Sequence, residues 1–284
     1  MQCAWDAFLG LLPLWMRREV DERGRTSLQE LRLRSKQPPE LVLGKESFWL
    51  SRPASPEDLA FVVNSASRYS PWTAATSAQG YITGPGGHRV GLCGEAVLTD
   101  GVLAGLRSYH SLCLRVARDF PGIAGQAGKE TGSILILGSP GSGKTTLLRD
   151  LIRQRSGRCP GSVAVVDERG ELFPQSGQEP CFSQGPRTDI LTGCPKSQGV
   201  EMVLRTMGPS CIAVDEITAE EDCHALTQAG WCGVKLLATA HATSKEDLFS
   251  RNVYKPLVEK DLFDLLLVMS PDKTWRMERM RTWN

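Results

Sequence analysis

One stretch constrains this chain more than any other: Gly138-Ser-Pro-Gly-Ser-Gly-Lys144-Thr145, entered from the apolar run Ile134–Leu137. A helical pattern follows, with Leu147, Leu148, Leu151 and Ile152 on one face. The stretch fits G-x-x-x-x-G-K-[ST] at every position, in the strand-then-helix context that the motif requires. Glycines let the backbone curl so that successive N–H groups face inward as an anion-binding nest. The N-terminus of the following helix adds partial positive charge at the same place. Gly138, Ser139, Pro140, Gly141, Ser142, Gly143, Lys144, Thr145 and Thr146 are therefore expected to bind nucleotide. Lys144 reaches the β- and γ-phosphates, and the Thr145 hydroxyl ligates Mg²⁺.

From Ser133 onward apolar runs at 134–137, 163–166, 211–214 and 234–238 each lead into polar or helical sequence, as buried parallel strands do. Val200, Val203, Leu204 and Met207 sit at i, i+3, i+4 and i+7, which predicts a helix introduced by Pro195. Thr218–Glu221 reads as a capping box opening another helix, and Ser244–Asp247 opens a third. Further strands are expected at Leu265–Met269 and Trp275–Met280. Residues 173–193, rich in glycine, proline and glutamine, read as a loop. The expected architecture is α/β with a doubly wound parallel sheet over 133–284.

Residues 1–118 read as a small α+β domain and 119–132, with its glycines, Pro121 and no apolar period, as a linker. Trp5, Phe8, Leu9 and Leu12 share one helical face that is expected to dock on the protein's own core. Leu28–Arg34 and Leu41–Leu43 alternate as strands do. Ser55-Pro56-Glu57-Asp58 is a helix start, with Leu59, Val62, Val63 and Ala66 as its buried stripe. Tyr81–Thr83 and Val90–Cys93 flank the loop Gly84–Gly87, Asp100-Gly101 marks a hairpin, and Leu112–Val116 is another strand.

Composition narrows the function. The net charge of +1 provides no global field for nucleic acid or an anionic membrane. Nine cysteines include no C-x-x-C pair and no zinc-type Cys/His cluster, so reduced thiols in a cytosolic protein are expected. No apolar run approaches the ~18 residues of a membrane span.

A nucleotide hydrolase also needs a carboxylate at the C-terminal end of a buried strand, facing the metal. Cys211-Ile-Ala-Val-Asp215-Glu216 supplies it: Asp215 would hold the metal through a water, and Glu216 would take a proton from the attacking water. A second acidic strand end is Val163–Asp167 with Glu168, Arg169 and Glu171. Should that strand neighbour the loop strand, Glu168 faces the same phosphates and competes for the role of base; otherwise these charges form a solvated pair. Thr239 and His241, ending the run from Leu236, can sense a γ-phosphate through one hydrogen bond made or lost. Arg205, on the helix leading into the acidic strand, and Arg187 are candidates for a finger on transition-state charge. The clusters Arg149/Arg153/Arg155/Arg158 and Arg276/Arg279/Arg281 read as exposed faces.

In this order, the loop, two acidic strand ends and a Thr-x-His strand end resemble the secretion ATPases of type II, type IV pilus and VirB11 type. Residues 80–94, Val166–Glu171, Arg187–Lys196 and Met207–Pro209 look more specifically like the stage III sporulation protein AA family. The resemblance implies a RecA-like core and an ATPase using ATP and Mg²⁺. It also implies a homo-oligomeric, hexameric ring, peripheral at the membrane on the mother-cell side of the forespore. The ring would work with membrane proteins of the sporulation channel, and no nucleic-acid partner is expected. One departure is visible: Ile217–Glu221 lacks the arginine that secretion ATPases place shortly after the acidic strand end. A phosphate-loop kinase of a small molecule and a RecA-like nucleic-acid motor are the alternatives.

Overall fold

The computed structural model describes residues 1–68, 80–176 and 179–280. They divide into two compact units, Met1–Asp119 with Pro174–Cys181, and Phe120–Phe173 with Phe182–Asn284.

The first unit holds an antiparallel sheet in the order β3-β2-β1-β6-β5-β4. Its strands are β1 (Glu30–Arg34), β2 (Glu40–Leu43), β3 (Glu46–Trp49), β4 (Tyr81–Thr83), β5 (Arg89–Thr99) and β6 (Val102–Arg115). Asp100 and Gly101 join the last two with positive φ at both positions, as a two-residue hairpin turn demands. The helix Pro56–Ala66 starts on the capping box expected of it, Ser55 and Asp58 each bonding the other's backbone N–H. The N-terminal apolar stretch differs from the single helix expected. Pro13 divides it into helices Trp5–Gly10 and Leu14–Gly24, because proline has no N–H to continue the first and presets φ to start the second. Trp5, Phe8, Leu12, Met16 and Val20 nonetheless reach the core of this unit. Buried His88 accepts from the Ala117 N–H at Nδ1 (3.1 Å), so Nε2 carries the proton and donates to Ala4 O at 2.9 Å. β3, exposed at all four positions, gives no alternation for a sequence reading to detect.

The second unit is a seven-stranded sheet in the order β11-β8-β12-β13-β7-β14-β15, parallel throughout except for the last strand. The strands are β7 (Ile134–Leu137), β8 (Val163–Asp167), β11 (Thr188–Thr192), β12 (Cys211–Ile217), β13 (Lys235–Ala240), β14 (Leu265–Met269) and β15 (Trp275–Arg279). The short strands β9 (Gln175–Ser176) and β10 (Glu179–Pro180) pair with each other inside the segment that groups with the first unit. Two cores form, one on each face, because strand side chains alternate. Ile134, Ile136, Val163, Val165, Ala213 and Leu237 pack with the helix Lys144–Arg158. Leu135, Leu137, Ala164, Val166, Ile212 and Leu236 face the helices Lys196–Thr206 and Glu220–Trp231. β11 lies within the stretch expected to be loop. It is an edge strand, half-buried at four of its five residues, and lacks an apolar run.

Two further expectations differ. The helix Glu220–Trp231 is not opened by Thr218; Asp222 reaches back to accept from the Thr218 and Ala219 N–H groups (3.1 and 3.3 Å). The arginines of Lys144–Arg158 are not a solvated face. Arg149 and Arg155 are buried, and Arg155 donates to the carbonyls of Glu130, Thr131 and Gly132. Of residues 119–132, expected as a linker, 120–132 are fastened by such bonds. Asp150, 1% exposed, accepts from the Gly122 and Ala124 N–H groups at 2.9 Å and pairs with Arg153 at 2.7 Å. Ala124 and Ala127 are wholly buried beside them.

Asp150→Ala strands two backbone donors and removes one partner of the half-buried Arg153, so it should lower stability by about 3 kcal/mol in urea unfolding. Limited proteolysis of the variant should then open first within 120–132. A loss below about 1 kcal/mol would mean that this segment is held by its apolar contacts instead.

Candidate active site

In a parallel sheet the C-terminal strand ends lie together, and β7, β12 and β13 are neighbours in the order β12-β13-β7. Three strand ends thereby bring Lys144, Asp215, Glu216, Thr239 and His241 into one cluster. After β7 the chain turns at Gly138, where a Cβ would stand 2.4 Å from Ser142 Oγ and 2.8 Å from Met269 Cβ. Only glycine fits. Gly143, at φ 102°, ends the loop, and the helix that begins at Lys144 has no side-chain cap, leaving its N-terminal N–H groups facing the loop. Ser142 Oγ is buried without a hydrogen-bond partner among the described residues.

The Lys144 ammonium, on a residue 7% exposed, donates to the Gly138 and Ser139 carbonyls at 2.9 and 3.0 Å and lies 3.3 Å from His241 Nδ1. Burial lowers its pKa, while the charges of Asp215 and Glu216 oppose that shift. Asp215 stands between two hydroxyls: Thr145 donates to one carboxylate oxygen and Thr239 to the other, both at 2.7 Å. Strand alternation accounts for this. Ala213 and Leu237 face the helix Lys144–Arg158, and Asp215 and Thr239, two residues on, keep the same side.

Glu216 breaks the alternation. The ladder between β12 and β13 slips between Val214 and Ile217, and Glu216 takes φ +57°, a left-handed conformation that a glutamate adopts at a cost of about 1–3 kcal/mol. What holds it there is visible: its N–H donates to Thr239 Oγ1 at 2.7 Å. Tyr254, buried, accepts from the His241 N–H at 3.1 Å and donates to Ile217 O at 3.2 Å. The Glu216 carboxylate bonds the His241 ring and lies 3.5 Å from Arg169. Partial burial pushes its pKa up. The His241 hydrogen bond and the charges of His241, Arg169 and Lys144 outweigh that, so the carboxyl ionises below its usual range.

Glu168 does not meet the condition set for it. Two strands, β12 and β13, separate β8 from β7, and the Glu168 carboxylate pairs with Lys196, itself 3.9 Å from Asp222. The buried acid of this strand end is Asp167, which accepts from the N–H groups of Glu171, Leu172 and Phe173 at 2.9, 2.9 and 3.0 Å. Burial raises its pKa to about 6, the bonds from Phe173 and Leu172 opposing and the charge of Asp215 adding. Arg205 is exposed and makes no bond to the cluster among the described residues, and Arg187 is tied to Ser156 O at 3.1 Å. Tyr254 and Arg169 also stand at this cluster without a sequence signal: the tyrosine sits in no motif, and the arginine reads as a surface charge.

A glycine loop between β7 and a helix, with one strand separating β7 from the acid-bearing β12, defines a RecA-like P-loop fold. No helix among the described residues is long and apolar enough to cross a membrane. The chain belongs to the family described as sporulation stage III, protein AA, whose model matches residues 8–277. Stage III sporulation protein AA of Bacillus subtilis (strain 168) is 37% identical over 265 residues, covering 90% of this chain and 86% of that protein. Among solved structures the fold is similar to that of the Legionella pneumophila ATPase DotB, with TM-score 0.62 and 17% identity over 94% of this chain and 80% of that one. The pilus retraction motor PilT with bound ADP is similar at TM-score 0.60 and 13% identity, over 89% of this chain and 76% of that one.

Asp167 yields a pH test. Its folded pKa of about 6 lies above the ordinary 3.8, so its contribution is complete below pH ~4 and is lost as pH rises through ~6. Asp167→Asn cannot ionise. The stability of the wild type relative to that variant should therefore fall between about pH 3 and pH 7, by up to roughly 3 kcal/mol in urea unfolding. A pH-independent difference would put Asp167 back at its ordinary value.

Proposed function

We propose that this chain is a Mg²⁺-dependent ATPase acting as a subunit of a ring. The observation that carries the reading is the Asp215 carboxylate held between the Thr145 and Thr239 hydroxyls, beside Lys144 and Glu216. The donor set suits a nucleotide phosphate with its metal: a buried hydroxyl without a partner at Ser142, uncapped helix N–H groups, a buried ammonium, and an oxygen pair of hydroxyl and carboxylate. Thr145 and Asp215 would hold Mg²⁺, which when bound neutralises phosphate charge.

The rest falls to this chain's own side chains. Lys144 places its charge on the phosphate oxygens. Glu216, ionised at neutral pH, accepts the proton of a water attacking the γ-phosphate in line, and ADP leaves with phosphate formed. His241 orients that carboxylate, and Thr239 couples its backbone to Asp215, so both strand ends respond to the same phosphate. Arg205, exposed on its helix, is suited to completing the site of a neighbouring subunit, because a guanidinium stays charged and grips phosphate with a planar fork. Membership in a sporulation family supports the wider reading: ATP turnover drives assembly or transport at the channel between mother cell and forespore. In that setting the ring sits peripherally at the membrane on protein partners.

Lys144→Ala should lose nucleotide affinity by at least tenfold, since a charge-assisted contact is worth about 1.5–3 kcal/mol. Glu216→Gln should bind ATP normally and fail to turn it over, whereas Glu168→Gln should stay active. Activity retained in Glu216→Gln and lost in Glu168→Gln would move the base to β8. Arg205→Lys should bind ATP yet hydrolyse slowly, and mixing it with Lys144→Ala should restore activity. No rescue on mixing, with a strictly linear dependence on protein concentration, would remove the shared site.

A further inference from the structure

The loop after β8 is built with more buried charge than its exposed position requires. Asp167 takes three backbone N–H groups from residues 171–173. Arg149, buried beneath, donates to the carbonyls of Glu171, at 2.9 Å, and Leu172. Gly170, at φ +65°, closes the turn by donating to Asp167 O at 3.1 Å. What this frame presents to solvent is Arg169, whose side chain is 55% exposed and lies 3.5 Å from Glu216 Oε2.

Stability does not explain the pair, because exposed ion pairs contribute about 0–1 kcal/mol. Nor does the contact help a base, since a guanidinium on a carboxylate weakens its hold on a proton. The arrangement makes sense once a stronger anion competes. A γ-phosphate carries more charge than a carboxylate and offers the fork geometry that arginine grips best. We infer that Arg169 binds phosphate within its own subunit: it holds the Glu216 carboxylate until a γ-phosphate takes its guanidinium, freeing the base and adding positive charge to the group being transferred. Lys144 and His241 are the other cationic or ionisable donors around Glu216; two backbone carbonyls hold the Lys144 ammonium, and the His241 side chain is less open to solvent than Arg169. Of the groups at that carboxylate, Arg169 is the exposed one.

The inference rests on the ATPase reading, and the test separates the two. Affinities for ADP and for a non-hydrolysable ATP analogue with Mg²⁺ would be measured by calorimetry on the full chain, alongside ATP turnover and melting temperature. In Arg169→Ala the analogue-over-ADP preference of the wild type should fall about tenfold or more and turnover at least tenfold, with ADP affinity within about twofold. Arg169→Lys should recover part of the preference but not the full rate. Mixing Arg169→Ala with Lys144→Ala should give no rescue, because the arginine acts in cis. A wild type that neither binds nor hydrolyses ATP would overturn the ATPase reading itself. An active wild type whose preference and rate survive in Arg169→Ala would overturn this inference alone, as would loss of ADP and analogue binding together. Rescue on mixing would overturn the cis assignment.

Discussion

The site depends on one carboxylate being shared by two hydroxyls. Asp215 ends β12, Thr145 follows the glycine loop after β7, and Thr239 sits on β13 between those two strands. A P-loop strand and an acid strand that are not adjacent leave a gap one strand wide at their ends. Thr239 fills that gap with a group that both donates and accepts, taking the Glu216 N–H on the same oxygen that bonds Asp215. This one oxygen couples the backbone of the residue next to the acid to the acid itself. The strained conformation of Glu216 is tolerable because that bond and the Tyr254 bridge hold it from two sides.

Much of this was legible in the residues. The loop, the four apolar runs of the parallel sheet and the acid at the end of β12 follow from local pattern, because each is contiguous and each obeys a period. Strand order does not. Nothing in Val163–Glu171 says that two strands will come between it and the loop strand, or that Glu168 will pair with Lys196. Tyr254 is invisible for a related reason: it bridges two backbone atoms, one at the end of β12 and one just past β13.

Charge is the least legible feature of this sequence. Arginines spaced along Lys144–Arg158 look like a solvated face, yet Arg149 and Arg155 are buried among carbonyls that no element of secondary structure uses. An arginine with five donors is suited to collecting such orphans: Arg149 collects the loop after β8, and Arg155 the segment that leads into β7. Composition cannot separate an arginine that ties down a loop from one that faces water, since the partners are backbone atoms common to every residue.

The division of the chain carries a consequence for how it is made. The first unit is interrupted: Phe120–Phe173 intervenes before Pro174–Cys181 returns to it, where Pro174 packs so tightly on Gly87 that a Cβ there would meet it at 2.5 Å. As the polypeptide leaves the ribosome, the first sheet can form early, but the unit around it stays unfinished until the glycine loop and its helix have already emerged. Neither unit is complete before the other has begun, so synthesis favours finishing both in a single late step over releasing a mature first unit ahead of its sequel.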